Sequence, residues 1–548
     1  MSKTPFWTHA VVYQIYPRSF CDSNGDGIGD IPGIISKLDY LKELGVDILW
    51  LSPIYKSPQF DLGYDVADYY AINPEYGTME DFDRLIAEAK QRGIRIVMDL
   101  VANHTSSEHE WFQKSKDRNS PYHDYYVWKD GKGKDGKEPP NNWTSNFTGP
   151  AWTYVPEVGQ WYLHIFAPEQ PDLNWHNPQI LKEVEAIIRF YLDKGVYGFR
   201  CDVINQIWKD SYEDSSSHTP LARGNEFYLM KEGNHRMLRA IYDDVLSHYD
   251  DFVMIGETYN VDLPNGKRFQ DNQELTMFFQ FELANVRNSS LPILQKPFSA
   301  KKFKEVAFKW QKEISWPTNY LENHDQRRSL NKFGDVKRFY QQSAKALALF
   351  NLTLRGTPFI YQGEEIGMTD LPLMNPEESK DVSALSTDRL MKRMGLPKFL
   401  RKRFIHNFNR DHARTPMQWD DSVSAGFSSS PSTWIRLHPD YASCNVKLEE
   451  KDPDSILHFY QTVLSYRKGS LPLSEGTFRE IPTKGNLIAF VRTANQKQVL
   501  VLINLGKKKT KLPVSLQNIL GKVVISTHPQ PNDPKILLPY EGRLIELE

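Results

Sequence analysis

Short runs of β-branched and aromatic residues recur along the chain, each followed by a longer stretch of helical periodicity. The runs are VVYQIY (11–16), VDILWLS (46–52), IRIVMDLVA (94–102), YGFRCDVI (197–204), DFVMIGE (251–257), TMFFQFE (276–282), TNYLENHD (318–325) and TPFIYQGEE (357–365). Apolar runs of this length predict buried strands, and their alternation with helices predicts parallel βα units. In the intervals, IPGIISKLDYLKELG repeats apolar residues at spacings of three and four and stops at Gly45, and MEDFDRLIAEAKQRG stops at Gly93. Eight such strands are the number that closes a (β/α)8 TIM barrel, an α/β fold.

Two stretches break the rhythm. Residues 105–175 are rich in Gly, Pro, Asn and Trp (KDGKGKDGKEPPNNWTSNFTGPAW) and too long for a simple connection, which predicts a subdomain inserted over the barrel mouth. Beyond about residue 480, short alternating strands follow one another (LIAFVRT, QVLVLINL, VVISTH, RLIELE), separated by turn residues. The organisation this implies is a barrel formed by residues 1–104 and 176–479, an inserted subdomain at 105–175 and a C-terminal antiparallel β domain at 480–548. The segment from Met368 to about Phe408 reads as helical structure near the cleft.

Charge narrows the range of partners. Lys and Arg number 67 against 69 Asp and Glu, a net charge of -2, with no terminal block of one sign, so neither nucleic acid nor a membrane surface is an expected partner. The N-terminus lacks the apolar core of a secretory signal, and no run of about 18 apolar residues occurs, which makes the cytoplasm the expected location. Cys21, Cys201 and Cys444 are odd in number and scattered, as reduced thiols would be. The sequons at Asn142 and Asn146 are then incidental. Oligomeric state is left open.

A TIM barrel carries its chemistry at the C-terminal ends of its strands. Four of the runs end on polar residues there: DLVANH (Asp99 to His104), FRCD (Phe199 to Asp202), IGE (Ile255 to Glu257) and ENHD (Glu322 to Asp325). One strand-end acid alone is as readily a helix cap or a buried ion pair; four together favour a site. These segments resemble the ordered conserved regions of glycoside hydrolase family 13, the α-amylase family, over the chain from about residue 5 to its end. The resemblance implies that Asp202 is the nucleophile, Glu257 the general acid/base, and Asp325 the carboxylate that holds the ring hydroxyls. Cleavage with retention needs one ionised carboxylate and one protonated carboxyl about 5 to 5.5 Å apart. Arg200, two residues before Asp202 on the same strand face, is expected to keep the nucleophile ionised while a less solvated Glu257 keeps its proton.

The same resemblance extends to the sugar subsite. It implies hydroxyl-binding histidines at His104 and His324, a carboxylate and a stacking ring at Asp61 and Tyr64 in DLGYD, an arginine closing the far end at Arg414 in DHARTPMQWD, and Phe166 beside them. QPDLN (170–174) and ARTPMQWD resemble the oligo-1,6-glucosidase branch. Val203, after the nucleophile, resembles the residue of α-1,6-acting members, although a valine simply packing in the barrel rim is the alternative. Thr-Tyr-Asn follows Glu257 where many such members carry Met-Pro. The implied activity is that of an exo-acting retaining α-glucosidase, taking glucose from the non-reducing end of short α-1,6-linked isomalto-oligosaccharides through a covalent glucosyl-enzyme. A hydrolase or transglucosylase of maltose, sucrose, trehalose or trehalose 6-phosphate is the nearest alternative. A non-catalytic, transporter-associated barrel is the remote one.

The run DSNGDGIGD places Asp22, Asn24 and Asp26 at alternate positions, with Asp30 beyond, hard oxygen groups at calcium-like spacing. Position twelve is Gly33, so the run is not an EF-hand. The resemblance implies one structural Ca2+ held by these four side chains and the Ile28 carbonyl; a plain Asp/Gly turn is the other reading. No organic cofactor is expected.

Overall fold

The computed structural model describes residues 4–289, 295–529 and 533–548. Each of the eight apolar runs holds a strand: β1 Val12–Ile15, β2 Ile48–Leu51, β3 Arg95–Val101, β4 Gly198–Asp202, β5 Val253–Glu257, β6 Met277–Phe279, β7 Thr318–Asn319 and β8 Thr357–Tyr361. They form one sheet in the order β6-β5-β4-β3-β2-β1-β8-β7, every neighbouring pair parallel. No ladder joins β6 to β7, the two shortest strands. The gap is bridged by side chains instead: the Thr318 hydroxyl donates to the Phe278 carbonyl at 2.7 Å, and the Tyr320 hydroxyl to the Gln280 carbonyl at 2.8 Å. The barrel is therefore nearly closed.

Successive residues of a strand face opposite sides, and the apolar runs exploit both. On β1, Val12 joins the barrel interior with Ile48, Trp50, Val97, Ile255 and Phe279, while Tyr13 and Ile15 pack outward against the helices. The interior changes from apolar to ionic at the C-terminal end, where the Trp50 indole N–H meets the Asp99 carboxylate at 3.2 Å. That polar layer is the floor of the site.

The helix expected to end at Gly45 divides into α1 (Ile31–Ser36) and α2 (Leu38–Leu44), because Lys37 leaves helical geometry at φ -109°, ψ 6°. Gly45 ends α2 in the left-handed region at φ 102°, a conformation glycine adopts without strain. α3 (Met79–Gln91) begins with a capping box between Thr78 and Asp81.

Between β3 and β4, Trp128–Lys129, Trp152–Val155 and Gln160–Leu163 form a three-stranded sheet over a small core that includes Trp143, Trp152 and Ile165. After β8 come α4 (Val382–Arg393) and α5 (Lys398–His406), an antiparallel hairpin closed by an ion pair between Arg401 and Asp388. Five strands, β9 (Thr477–Glu480), β10 (Leu487–Ala494), β11 (Lys497–Asn504), β12 (Gly521–Ser526) and β13 (Gly542–Leu547), form the C-terminal antiparallel sheet in the order β9-β10-β11-β13-β12. All three cysteines are buried and free. Among the described residues no helix is long and apolar enough to cross a membrane.

Candidate active site

Strand register builds the centre of the site. Parallel pairing sets Arg200 on β4 beside Asp99 on β3 and Ile255 on β5, so that Asp202 and Glu257, each two residues further along, rise on the same face. The Arg200 guanidinium is buried among three carboxylates. Its Nη1 lies 2.7 Å from both Asp99 Oδ1 and Asp202 Oδ1, and its Nη2 lies 2.6 Å from Glu257 Oε2. The expectation of a less solvated Glu257 beside an arginine-held Asp202 is not what the fold builds. One guanidinium serves both carboxylates, and their side chains are enclosed alike, 10% and 11% exposed. Burial pushes the Asp202 carboxyl up, Arg200 pulls it back, and the Glu257 and Asp99 carboxylates raise it again. Burial also brings Asp99 up to about 6.

The residue after Asp202 is constrained. Val203 has φ 37° and ψ 38°, the left-handed region, which a β-branched side chain enters only at a cost on the order of 1 to 3 kcal/mol. In return its N–H points at Glu257 Oε2, 3.1 Å away. Both donors to Glu257 thus reach the same oxygen, which leaves Oε1 as the atom to carry a transferable proton.

Asp325 follows β7 and faces the pair across the cleft. Its Oδ1 accepts from Arg414 Nη2 at 2.6 Å and from Arg410 Nη1 at 3.4 Å. Burial opposes its ionisation, yet its carboxyl lies well below the usual range because His324, Arg410 and Arg414 crowd it. His324 is itself driven by burial down to about 3, so it is neutral at neutral pH and the two guanidinium groups carry the effect.

A cleft of about 160 Å³ opens above these groups. Of the residues marked in the sequence, Asp61, Tyr64, His104, Phe166, Asp202, Val203, Glu257 and Asp325 line it. The His104 ring lies 5.2 Å from that of Phe166 and reaches the Tyr64 carbonyl through Nε2 at 3.1 Å. Arg200, His324 and Arg414 lie beneath the lining. Beneath the lining, His324 Nδ1 meets Gln14 Nε2 at 2.7 Å, its Nε2 meets the Tyr64 hydroxyl at 2.6 Å, and its ring stacks against Tyr64 at 5.4 Å. These contacts fix the orientation of the Tyr64 ring.

Arg414 lies deeper than the lining. It is fully buried, held by the His324 carbonyl at 3.1 Å and by Asp325, and reaches no open surface. The arginine that lines the cleft is Arg410, four residues earlier, whose Nη2 pairs with Asp61 Oδ1 at 3.1 Å and whose guanidinium makes a cation–π contact with Phe147 at 5.2 Å. Spacing four residues apart in one motif hides which of the two points outward.

Gln170 was visible only as part of a signature, yet its Nε2 lies 3.3 Å from Asp61 Oδ2 and 3.1 Å from His104 Nε2. Gln206, Tyr259 and Phe281 line the opposite side without any pattern to announce them. Asn146 also lines the cleft, its amide donating to the Ile165 carbonyl.

The side chains of the loop at residues 22–30 bond chiefly to amides of the loop itself. Asp22 Oδ1 accepts from the Asn24 and Gly25 amides, and its Oδ2 from the Gly27 amide and the Ser428 hydroxyl, which uses all four of its acceptor positions. Asp30 caps Gly33 with one oxygen and takes the Ser23 amide and hydroxyl with the other; Asn24 accepts from Asp26, and Asp26 accepts from the Ile28 amide. Among the described residues, no group of three or more His, Cys, Asp or Glu could hold a metal ion. The alternating acids serve turns, which need the same spacing as a metal loop.

The model of the α-amylase catalytic domain matches residues 14–476. The chain is 42% identical to an oligo-1,6-glucosidase of Halalkalibacterium halodurans over 99% of each chain, and 40% identical to a trehalose-6-phosphate hydrolase of Bacillus subtilis over 92% of this chain and 90% of that one. The crystal structure of isomaltulose synthase from Klebsiella sp. LX3 superposes with a TM-score of 0.94 at 38% identity, covering the whole of both chains. With a near-closed barrel that gathers three carboxylates around one arginine, and with these relatives over 92% of its length or more, the chain belongs to the α-amylase family of glycoside hydrolases.

Proposed function

We propose that the protein is an exo-acting, retaining α-glucosidase that removes glucose from the non-reducing end of short α-1,6-linked oligosaccharides. The observation that carries this reading is the single guanidinium of Arg200 bonded to both Asp202 and Glu257. A shared arginine favours the short carboxyl separation of retaining enzymes, about 5 to 5.5 Å, over the wider gap of inverting ones, which must admit a water.

In the first step Asp202 attacks the anomeric carbon while Glu257 gives its proton to the leaving oxygen. The glycosidic bond breaks and an ester to Asp202 forms. In the second step water, deprotonated by the same Glu257, cleaves that ester and releases glucose with its original configuration. Holding Asp202 among other acids raises the energy of its charged form in the empty cleft, and the positive charge that develops on the sugar ring relieves this repulsion. Asp325, kept ionised by Arg410 and Arg414, binds ring hydroxyls. The ion pair of Asp61 with Arg410 closes the pocket behind one glucose, which supports release of single units. Calcium forms no part of this reading.

The charge of the cleft disfavours a phosphorylated sugar. Among the described lining residues the one cation is Arg410, already facing Asp61, Asp325 and Asp381; Arg327 and Arg328 are paired with Asp370 and Glu322 away from the opening. Val203, locked by its own backbone, is the rim residue best placed to select the linkage.

Initial rates on isomaltose, maltose, sucrose, trehalose and trehalose 6-phosphate, with the anomer of the released glucose followed by NMR, test the reading. The expected result is fastest release from isomaltose, as the α-anomer. A different preferred sugar overturns the linkage, a β-anomer overturns retention, and silence on all five overturns the activity.

A further inference from the structure

Arg410 does not hold its place at the end of the cleft by itself. Its guanidinium offers one edge, Nε and Nη2, to a single oxygen of Asp381, at 2.8 and 2.7 Å, while the other oxygen of Asp381 accepts from the Arg410 backbone amide at 3.1 Å. Side chain and backbone of one residue are thus fixed by the same carboxylate, which is wholly buried and touches no part of the cleft surface. What remains of the arginine fork is turned to Asp61 and Asp325.

Asp381 stands at the root of the α4–α5 hairpin. It caps α4 by accepting from the Ser383 amide at 2.9 Å. The two strands of the hairpin stem are fastened to each other there: Ser379 donates to Asp411 at 2.7 Å, and the Lys380 amide reaches the same carboxylate oxygen at 2.9 Å. One turn of chain therefore joins the hairpin to the wall of the glucose pocket.

We propose that Asp381 is the positioning residue that sets chain-end specificity, by holding Arg410 against Asp61 so that nothing longer than one glucose extends beyond the cleavage point. The proposal rests on the exo-acting reading above. Without the Asp381 carboxylate, the Arg410 fork loses the contacts on its outer edge and swings away from Asp61 toward solvent. The pocket then opens at its closed end. Binding of a single terminal glucose weakens, while the groups that break the bond stay where they are.

Asp381→Ser is the informative variant, because serine caps a helix about as well as aspartate and is too short to reach the guanidinium. Asp381→Asn keeps the shape and removes the charge, so it gives a partial effect if the serine variant is poorly folded. Each is assayed, after its Tm has been measured, on isomaltose and on isomaltotetraose labelled at the reducing end. The wild type is expected to shorten the label one glucose at a time. Asp381→Ser is expected to raise the KM for isomaltose about tenfold with kcat within about threefold, and to yield a labelled disaccharide directly, with unlabelled isomaltose as the other product. A stable Asp381→Ser that shortens the label only by single units, with unchanged KM, overturns the proposal while leaving the exo reading intact. Direct release of isomaltose by the wild type overturns the exo reading itself.

Discussion

Replacing Asp202 by asparagine is expected to lower kcat on isomaltose by a factor on the order of 10⁴ or more without loss of fold. Asparagine matches the shape of aspartate but attacks an anomeric carbon too poorly to form the ester. The fold survives because Arg200 keeps Asp99 at 2.7 Å and Glu257 at 2.6 Å. Stability is expected to rise at neutral pH, and the sign follows from the carboxyl being raised in the folded state. Such a group binds its proton more tightly when folded, so stability falls as pH climbs above its unfolded value near 4. The variant escapes that loss. Its Tm is expected to meet or exceed that of the wild type at pH 7, and the difference to vanish toward pH 4. Near-native turnover in a folded Asp202→Asn variant would mean that another group attacks.

Glu257→Gln is expected to cost about 10² to 10⁴ in kcat on isomaltose, whose leaving sugar needs a proton. An aryl α-glucoside with an acidic phenol needs little protonation, so its first step is expected to be far less affected. Its second step, in which Glu257 deprotonates water, becomes limiting. Azide, an anionic nucleophile that needs no base, is expected to restore turnover and give the α-glucosyl azide. Equal losses on both substrates, with no response to azide, would remove Glu257 from the acid/base role and return Val203 N–H and Arg200 to a purely structural use of that carboxylate.

The barrel was legible because its strands are buried on both faces, which gives continuous apolar runs such as IRIVMDLVA rather than ambiguous alternation. Only their lengths misled: TNYLENHD holds a strand of two residues, since β7 has no ladder partner in β6 and side chains from Thr318 and Tyr320 bridge the gap. The acids were legible for a related reason, as charges ending apolar strands stand out. What the chain did not disclose depends on orientation. Arg410 and Arg414 share one motif, and only tertiary packing turns the first toward the cleft and the second beneath Asp325. Arg200 was recognisable as a neighbour of Asp202, but its second bond to Glu257 comes from the register of β4 against β5. The left-handed backbone of Val203 leaves no mark in a β-branched residue. The spacing of Asp22, Asn24, Asp26 and Asp30 is common to metal loops and to side-chain-capped turns, so spacing alone does not separate the two.

A covalent glucosyl ester on Asp202 is the centre of the mechanism, and trapping it is the most direct measurement. The protein is incubated with 5-fluoro-α-glucosyl fluoride, whose ring fluorine slows both steps while its fluoride leaves without needing the acid, then digested and analysed by mass spectrometry. The expected result is one added fluoroglucosyl group on the peptide containing Phe199 to Asp202, at Asp202, with activity recovering as the ester turns over. A label on Glu257 or elsewhere would contradict the assignment, and inactivation without any covalent label would contradict the double-displacement route.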